Sequence, residues 1–185
     1  LEVIAPTKDM ADNRRIPHFL VLESDAKDYE TDDFSDKSDA YVALSDLKTN
    51  FTESLLYLAW CLQVGTKGFG AFTKSSTLGE LFKYHSKFIE GQLTKTKRNC
   101  PKEFVEYANK WREGGLVRNA VIVEAYLKAA DYFSIINLNA EKEYQLASGT
   151  VLGTTIADSV DKILKPKNQL ELEDLKNKIE AKWNE

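Results

Sequence analysis

Apolar residues return every third or fourth position through most of the chain, and the breaks in that rhythm outline its elements. Leu44, Leu47, Phe51, Leu55, Leu58 and Leu62 hold a helical period from a cap at Ser38 or Asp39 until Gly65 closes it. A second helix opens on Thr77, followed at three residues by Glu80 as a capping box requires. It carries Leu78, Leu81, Phe82, His85, Phe88, Ile89 and Leu93 on one face. Pro101 suits the first turn of a third helix whose inner face is Phe104, Val105, Ala108 and Trp111 and which ends at Gly114-Gly115. From Leu116 to Ile136, the stripe of Ala120, Val123, Leu127 and Ala130 is flanked by Ile122, Tyr126 and Phe133, a width that predicts a central helix. After a turn between Asn137 and Ala140, the spacing of Tyr144, Ala147, Val151, Ile156, Val160, Ile163 and Leu164 predicts a further helix. Gly149, Gly153 and several β-branched residues weaken it, Gly149 most. Pro166 stops that element. Asn168 with Glu171 caps a last helix bearing Leu172, Leu175, Ile179 and Trp183.

Two stretches escape the pattern. Pro17 keeps Ile16–Leu22 from being a helix interior, so it reads as an extended arm or a single strand. From Asp25 to Asp39 acids dominate, with Tyr29 and Phe34 the large apolar residues, which predicts a solvated loop. The fold expected is therefore all-α: a single helical bundle of five or six helices over residues 40–185, preceded by an irregular acidic N-terminal arm over residues 1–39, partly extended or disordered.

Composition narrows the class without fixing the activity. Hydrophobic residues at 43% and charged residues at 29% match a soluble globular chain, and no apolar run is long enough to span a membrane, so no membrane role is expected. The charge is polarised. Residues 1–39 hold 11 acidic against 5 basic side chains, while residues 74–118 hold 10 basic against 5 acidic. Such asymmetry suits an anionic partner or a second copy of the chain. Cys61 and Cys100 form no CxxC pair and read as free thiols of a reducing, cytoplasmic compartment.

The search for chemistry yields binding features before catalytic ones. His18 and His85 neighbour no nucleophile motif, and Glu80 and Glu90 stand at the wrong spacing from His85 for HExxH, so no catalytic residue, metal or cofactor is assigned. Asp28, Glu30, Asp32, Asp36 and Asp39 fall at calcium-loop positions, but Asp33 occupies the place where that loop needs glycine, and a solvated linker is favoured. Gly65, Gly68 and Gly70 lie in a loop with Lys67, Phe69, Phe72 and Lys74. With Lys95, Lys97, Arg98 and Arg112 it could hold an anion, the lysines and arginines meeting phosphates and the phenylalanines stacking on bases. If residues 144–164 are helical, Gly149, Gly153 and Ala157 make a smooth ridge for a close helix crossing or a ligand pocket. The function expected is a non-enzymatic helical protein-protein interaction or self-assembly module, a structural protein forming homo-oligomers. Phe19, Leu20 and Leu22 on the arm and Leu175, Ile179 and Trp183 on the last helix are its expected interface. The alternative is a nucleic-acid-binding, nucleoprotein-like helical protein that takes single-stranded RNA or DNA on its basic 67–118 region.

Overall fold

A computed structural model describes residues 4–5, 18–19, 23–63, 71–93 and 99–184, with side chains from residue 34 onward. The chain divides into two compact units, Leu1–Ser38 and Asp39–Glu185. In the first, β1 (Ile4–Ala5) pairs in parallel with β2 (His18–Phe19), Ile4 opposite His18 and Ala5 opposite Phe19. Helix α1 (Glu23–Asn50) begins in this unit, and the boundary falls within it.

The extent of α1 corrects the reading of the acidic segment. Residues 25–39 are helical rather than a loop, so the calcium-loop spacing falls on a helix, which cannot fold around an ion as that loop does. Glu23 and Asp33 precede Lys27 and Lys37 by four residues, the order that favours a helix, and the segment contains no glycine or proline.

The second unit is predominantly helical, as the periodicity predicts, but its organisation is richer than a bundle of five or six helices. Among the described residues there are seven helices, and the second unit also holds a three-stranded sheet. The helix expected from residue 39 to 65 is two elements: α1 ends at Asn50 and α2 covers Ser54–Cys61. Three polar side chains turn back on the last part of α1: Thr49 and Thr52 donate to the carbonyls of Ser45 and Lys48, and Asn50 to the Asp46 carboxylate. The backbone then tightens, Ser54 N–H reaching the Phe51 carbonyl and Leu55 N–H that of Thr52. Helix α3 (Leu78–Ile89) has the expected reciprocal capping box between Thr77 and Glu80. Helix α4 (Cys100–Glu113) is capped by the Asn99 side chain, with Pro101 in its first turn. Gly114 and Gly115, at φ +75° and +54°, turn the chain directly into α5 (Gly115–Tyr132).

The helix expected over 144–164 is not one. Strands β3 (Ile136–Leu138), β4 (Tyr144–Leu146) and β5 (Val151–Gly153) form an antiparallel meander, and only Ile156–Ile163 is helical, as α6. Ile136 faces Leu146, Leu138 faces Tyr144, and Gln145 faces Val151. The glycines are turn and strand-end residues: Gly149 at φ +89° closes the β4–β5 hairpin, and Gly153 at φ +150° ends β5 against α6. No Gly149–Gly153–Ala157 ridge therefore exists. A 3₁₀ turn (Pro166–Asn168) leads into α7 (Gln169–Trp183). Asn168 precedes α7 as expected, but its side chain donates to the Lys162 carbonyl instead of capping.

Helix α5 is central: α2, α4, α6, α7 and β3 all pack on it. The core holds three buried tryptophans, Trp60, Trp111 and Trp183. Trp183 stacks on Tyr126 at 5.2 Å and on Trp60 at 6.1 Å, and Tyr57 stacks on Trp111 at 5.5 Å. Each such pair contributes about 1 kcal/mol beyond its buried area. No described helix is long and apolar enough to cross a membrane.

Candidate docking site

The two left-handed glycines set how α5 begins, and its first turn places one side chain in and one out. Arg118 turns inward: its Nε donates to the Trp111 carbonyl at 2.8 Å, and its guanidinium lies over the rings of Phe51 and Trp111 at 5.6 and 5.4 Å. Leu116 points away from the core and is 86% exposed. It stands at the lip of a cleft of about 380 Å³. Helix α5 supplies Leu116, Val117, Ala120, Val121 and Glu124, α6 supplies Ala157, Val160 and Asp161, and α4 supplies Lys110.

Most of the polar groups at this cleft are committed to neighbours. Glu124 accepts from the Tyr107 hydroxyl at 2.8 Å and pairs with Lys128 at 2.9 Å, while Lys128 also donates to the Cys61 carbonyl. Burial, with the charge of Glu124 nearby, pushes the Tyr107 phenol well above its ordinary range, so it stays a neutral donor. Lys110 pairs with Glu106 one turn away at 2.6 Å and lies over the Tyr107 ring. Asp161 has no such partner among the described residues. The cleft thus has an apolar floor, a neutralised carboxylate, a cation on the α4 side and a carboxylate on the α6 side.

A second cavity of about 360 Å³ is lined by Thr52, Glu53, Leu56 and Tyr57 with Thr73, Lys74, Ser76 and Leu81. Beside it runs a chain of internal bonds: Lys74 pairs with Glu180, Tyr126 donates to Glu180 at 2.6 Å, and the Tyr126 and Tyr57 hydroxyls meet at 3.5 Å. Burial alone would raise Glu180, but its bonds from Lys74 and Tyr126 outweigh that and hold it below the usual carboxylate range. This chain fastens α7 to the segment before α3, as does the bond from Lys74 N–H to the Trp183 carbonyl.

The residues expected to bind nucleic acid are not gathered where they are described. Lys74 is held by Glu180. Arg112 donates to Asp46 at 2.7 Å and to the Ala43 carbonyl, on a different set of elements. Phe72 is half-buried, its ring edge-on to Tyr84 at 5.0 Å and its carbonyl accepting from Trp60. Lys67, Phe69, Lys95, Lys97 and Arg98 lie outside the described residues, as do Leu20, Leu22 and the side chain of Phe19. Leu175, Ile179 and Trp183 are buried in the core of their own chain, so the α7 stripe is turned inward.

His85 is also interior. A carbonyl can only accept, so its Nε2 carries the proton donated to Leu55 at 2.9 Å, and Nδ1 has no hydrogen-bond partner among the described residues. Burial lowers its pKa to about 4. Cys61 is buried, its thiol donating to the Val121 carbonyl and pushed far up by burial, and Cys100 is buried at the start of α4. Among the described residues no group of three His, Cys, Asp or Glu side chains is placed to hold a metal ion. Leu116 extends the Ala120–Val123–Leu127 stripe by one turn, so the periodicity alone gives it no mark of its own. Comparison with protein-family models, curated proteins and solved structures gave no match.

Proposed function

We propose that this chain is a non-enzymatic helical interaction and assembly module that docks through the cleft between α4, α5 and α6. One observation carries the reading: a fully formed leucine knob, 86% exposed, at the lip of an apolar cleft. Single exposed leucines are ordinary on a protein surface, but a large apolar side chain beside a concave apolar floor is the arrangement that anchors protein contacts. Support also comes from the polar chemistry. Lys110, Glu124 and Lys74, which line the two cavities, are tied into internal pairs rather than converging on a common point where a substrate atom could react.

A photoreactive amino acid placed at position 116 in the full chain, in cells that make it, tests the reading. Discrete protein adducts are expected at 116, and none at the position of Leu170 on α7, which is also largely exposed. Adducts at 170 but not at 116, or at neither, would remove the docking role from this cleft.

A further inference from the structure

We propose that the occupant of the cleft is the same cleft of a second copy, the two related by a two-fold axis so that Leu116 of each protomer enters the cleft of the other. This rests on the docking reading above and names its partner.

A two-fold contact requires a patch that complements itself, knob and hole lying side by side on one surface. Leu116 and the floor of Val117, Ala120, Val121 and Val160 meet that requirement within a single patch. The charges at its edge are complementary in the same sense. Helix α4 brings a cation, Lys110, and α6 brings a carboxylate, Asp161, which has no partner among the described residues. A two-fold axis running between the Lys110 and Asp161 sides of the cleft carries the Lys110 side of each protomer over the Asp161 side of the other. Lys110 can exchange its bond to Glu106 for one to Asp161 at little cost, because that bond is an exposed pair on one helix and such pairs are weak. Glu124, deepest of the polar residues in the argument, enters a dry contact already neutralised by Lys128 and Tyr107. The knob is also held in place beforehand, since Arg118 fixes the first turn of α5 against Trp111. A contact centred on one leucine per protomer predicts a reversible, concentration-dependent dimer.

Sedimentation velocity of the full chain over a range of concentrations tests this, with circular dichroism confirming that each variant folds. The wild type is expected to pass from monomer to dimer, and Leu116→Asp to weaken the dimer by about tenfold or more. Lys110→Glu and Asp161→Lys should each weaken it by about tenfold, and the two together should restore it to near the wild-type constant. A monomer at every concentration, or a dimer indifferent to Leu116→Asp, overturns the proposal. A double charge reversal no better than its singles overturns the two-fold arrangement. The two readings fail separately: a monomer whose position 116 still captures a different protein refutes self-docking alone, whereas loss of both dimer and adduct refutes docking at this cleft altogether.

Discussion

Among the described glycines, Gly153 is where the backbone leaves least room. A Cβ built there would stand 2.7 Å from the Cβ of Asp158 and 3.4 Å from the Ser159 nitrogen, at a φ of +150°. Asp158 cannot withdraw, because its carboxylate accepts from the hydroxyls of Thr154 and Thr155 and its own N–H donates back to Thr155 in the cap of α6. Gly153→Ala is therefore expected to cost about 2–3 kcal/mol in denaturant unfolding. Gly149→Ala, with strain at φ +89° but only the Gln145 amide within 4.0 Å, should cost about 1 kcal/mol. Equal losses would show that crowding against α6 is not what selects glycine at 153. His85 makes the second prediction at this scale. Its folded pKa of about 4 lies below the ordinary 6.5, so on acidification the unfolded chain takes up the proton first. That stabilisation is complete above 6.5 and is lost as pH falls toward 4, amounting to about 2 kcal/mol between about pH 7 and about pH 5. The carboxylates whose values are lowered, such as Asp46 and Glu80, start from 3.8 and 4.5 and titrate below this window. Unfolding of the wild type and His85→Gln at the two pH values checks it, and an unchanged pH dependence in the variant would contradict it.

At the scale of elements, the secure readings were those where a cap and a period agreed. Thr77 and Glu80 announced α3, and the structure has both halves of the box: Thr77 Oγ1 accepts from Glu80 N–H at 3.2 Å and the Glu80 carboxylate accepts from Thr77 N–H at 2.7 Å. Thr77→Ala should cost about 1 kcal/mol, and Thr77→Ser should restore most of it. A Thr77→Ala protein as stable as the wild type would leave the box without energetic weight. Over residues 144–155 the period misled. Tyr144, Ala147 and Val151 match a helical spacing by coincidence, while the residues that decide the segment are Gly149, Gly153, Thr150, Val151, Thr154 and Thr155, a turn glycine, a strand-end glycine and β-branched neighbours. The break between α1 and α2 escaped for the opposite reason. The apolar period runs through Phe51 unbroken, while the side-chain bonds of Thr49, Asn50 and Thr52 back onto α1 and the tightened backbone after Phe51 separate the two helices. The cleft was illegible because it is made by three helices at once. Leu116 looks like any other member of the α5 stripe until the reach of α4 and α6 is known.

For the molecule as a whole, packing absorbed much of the chemistry that the sequence left open. The last-helix stripe expected as an interface became core, and three described cations of the basic region became ties: Lys74 to α7, Arg112 to α1, Arg118 to the Trp111 carbonyl. Among the exposed apolar side chains described on the second unit, Leu116 stands beside a hollow that also has a cation and a carboxylate at its edge. The most direct test of that account is a methyl-labelled spectrum of the intact chain recorded over a dilution series. The methyl signals of Leu116, Val117, Val121 and Val160 should move together with concentration while those of Leu138 and Leu170, which are also exposed, stay fixed. Signals that move at Leu138 or Leu170 instead, or that nowhere respond to concentration, would contradict it.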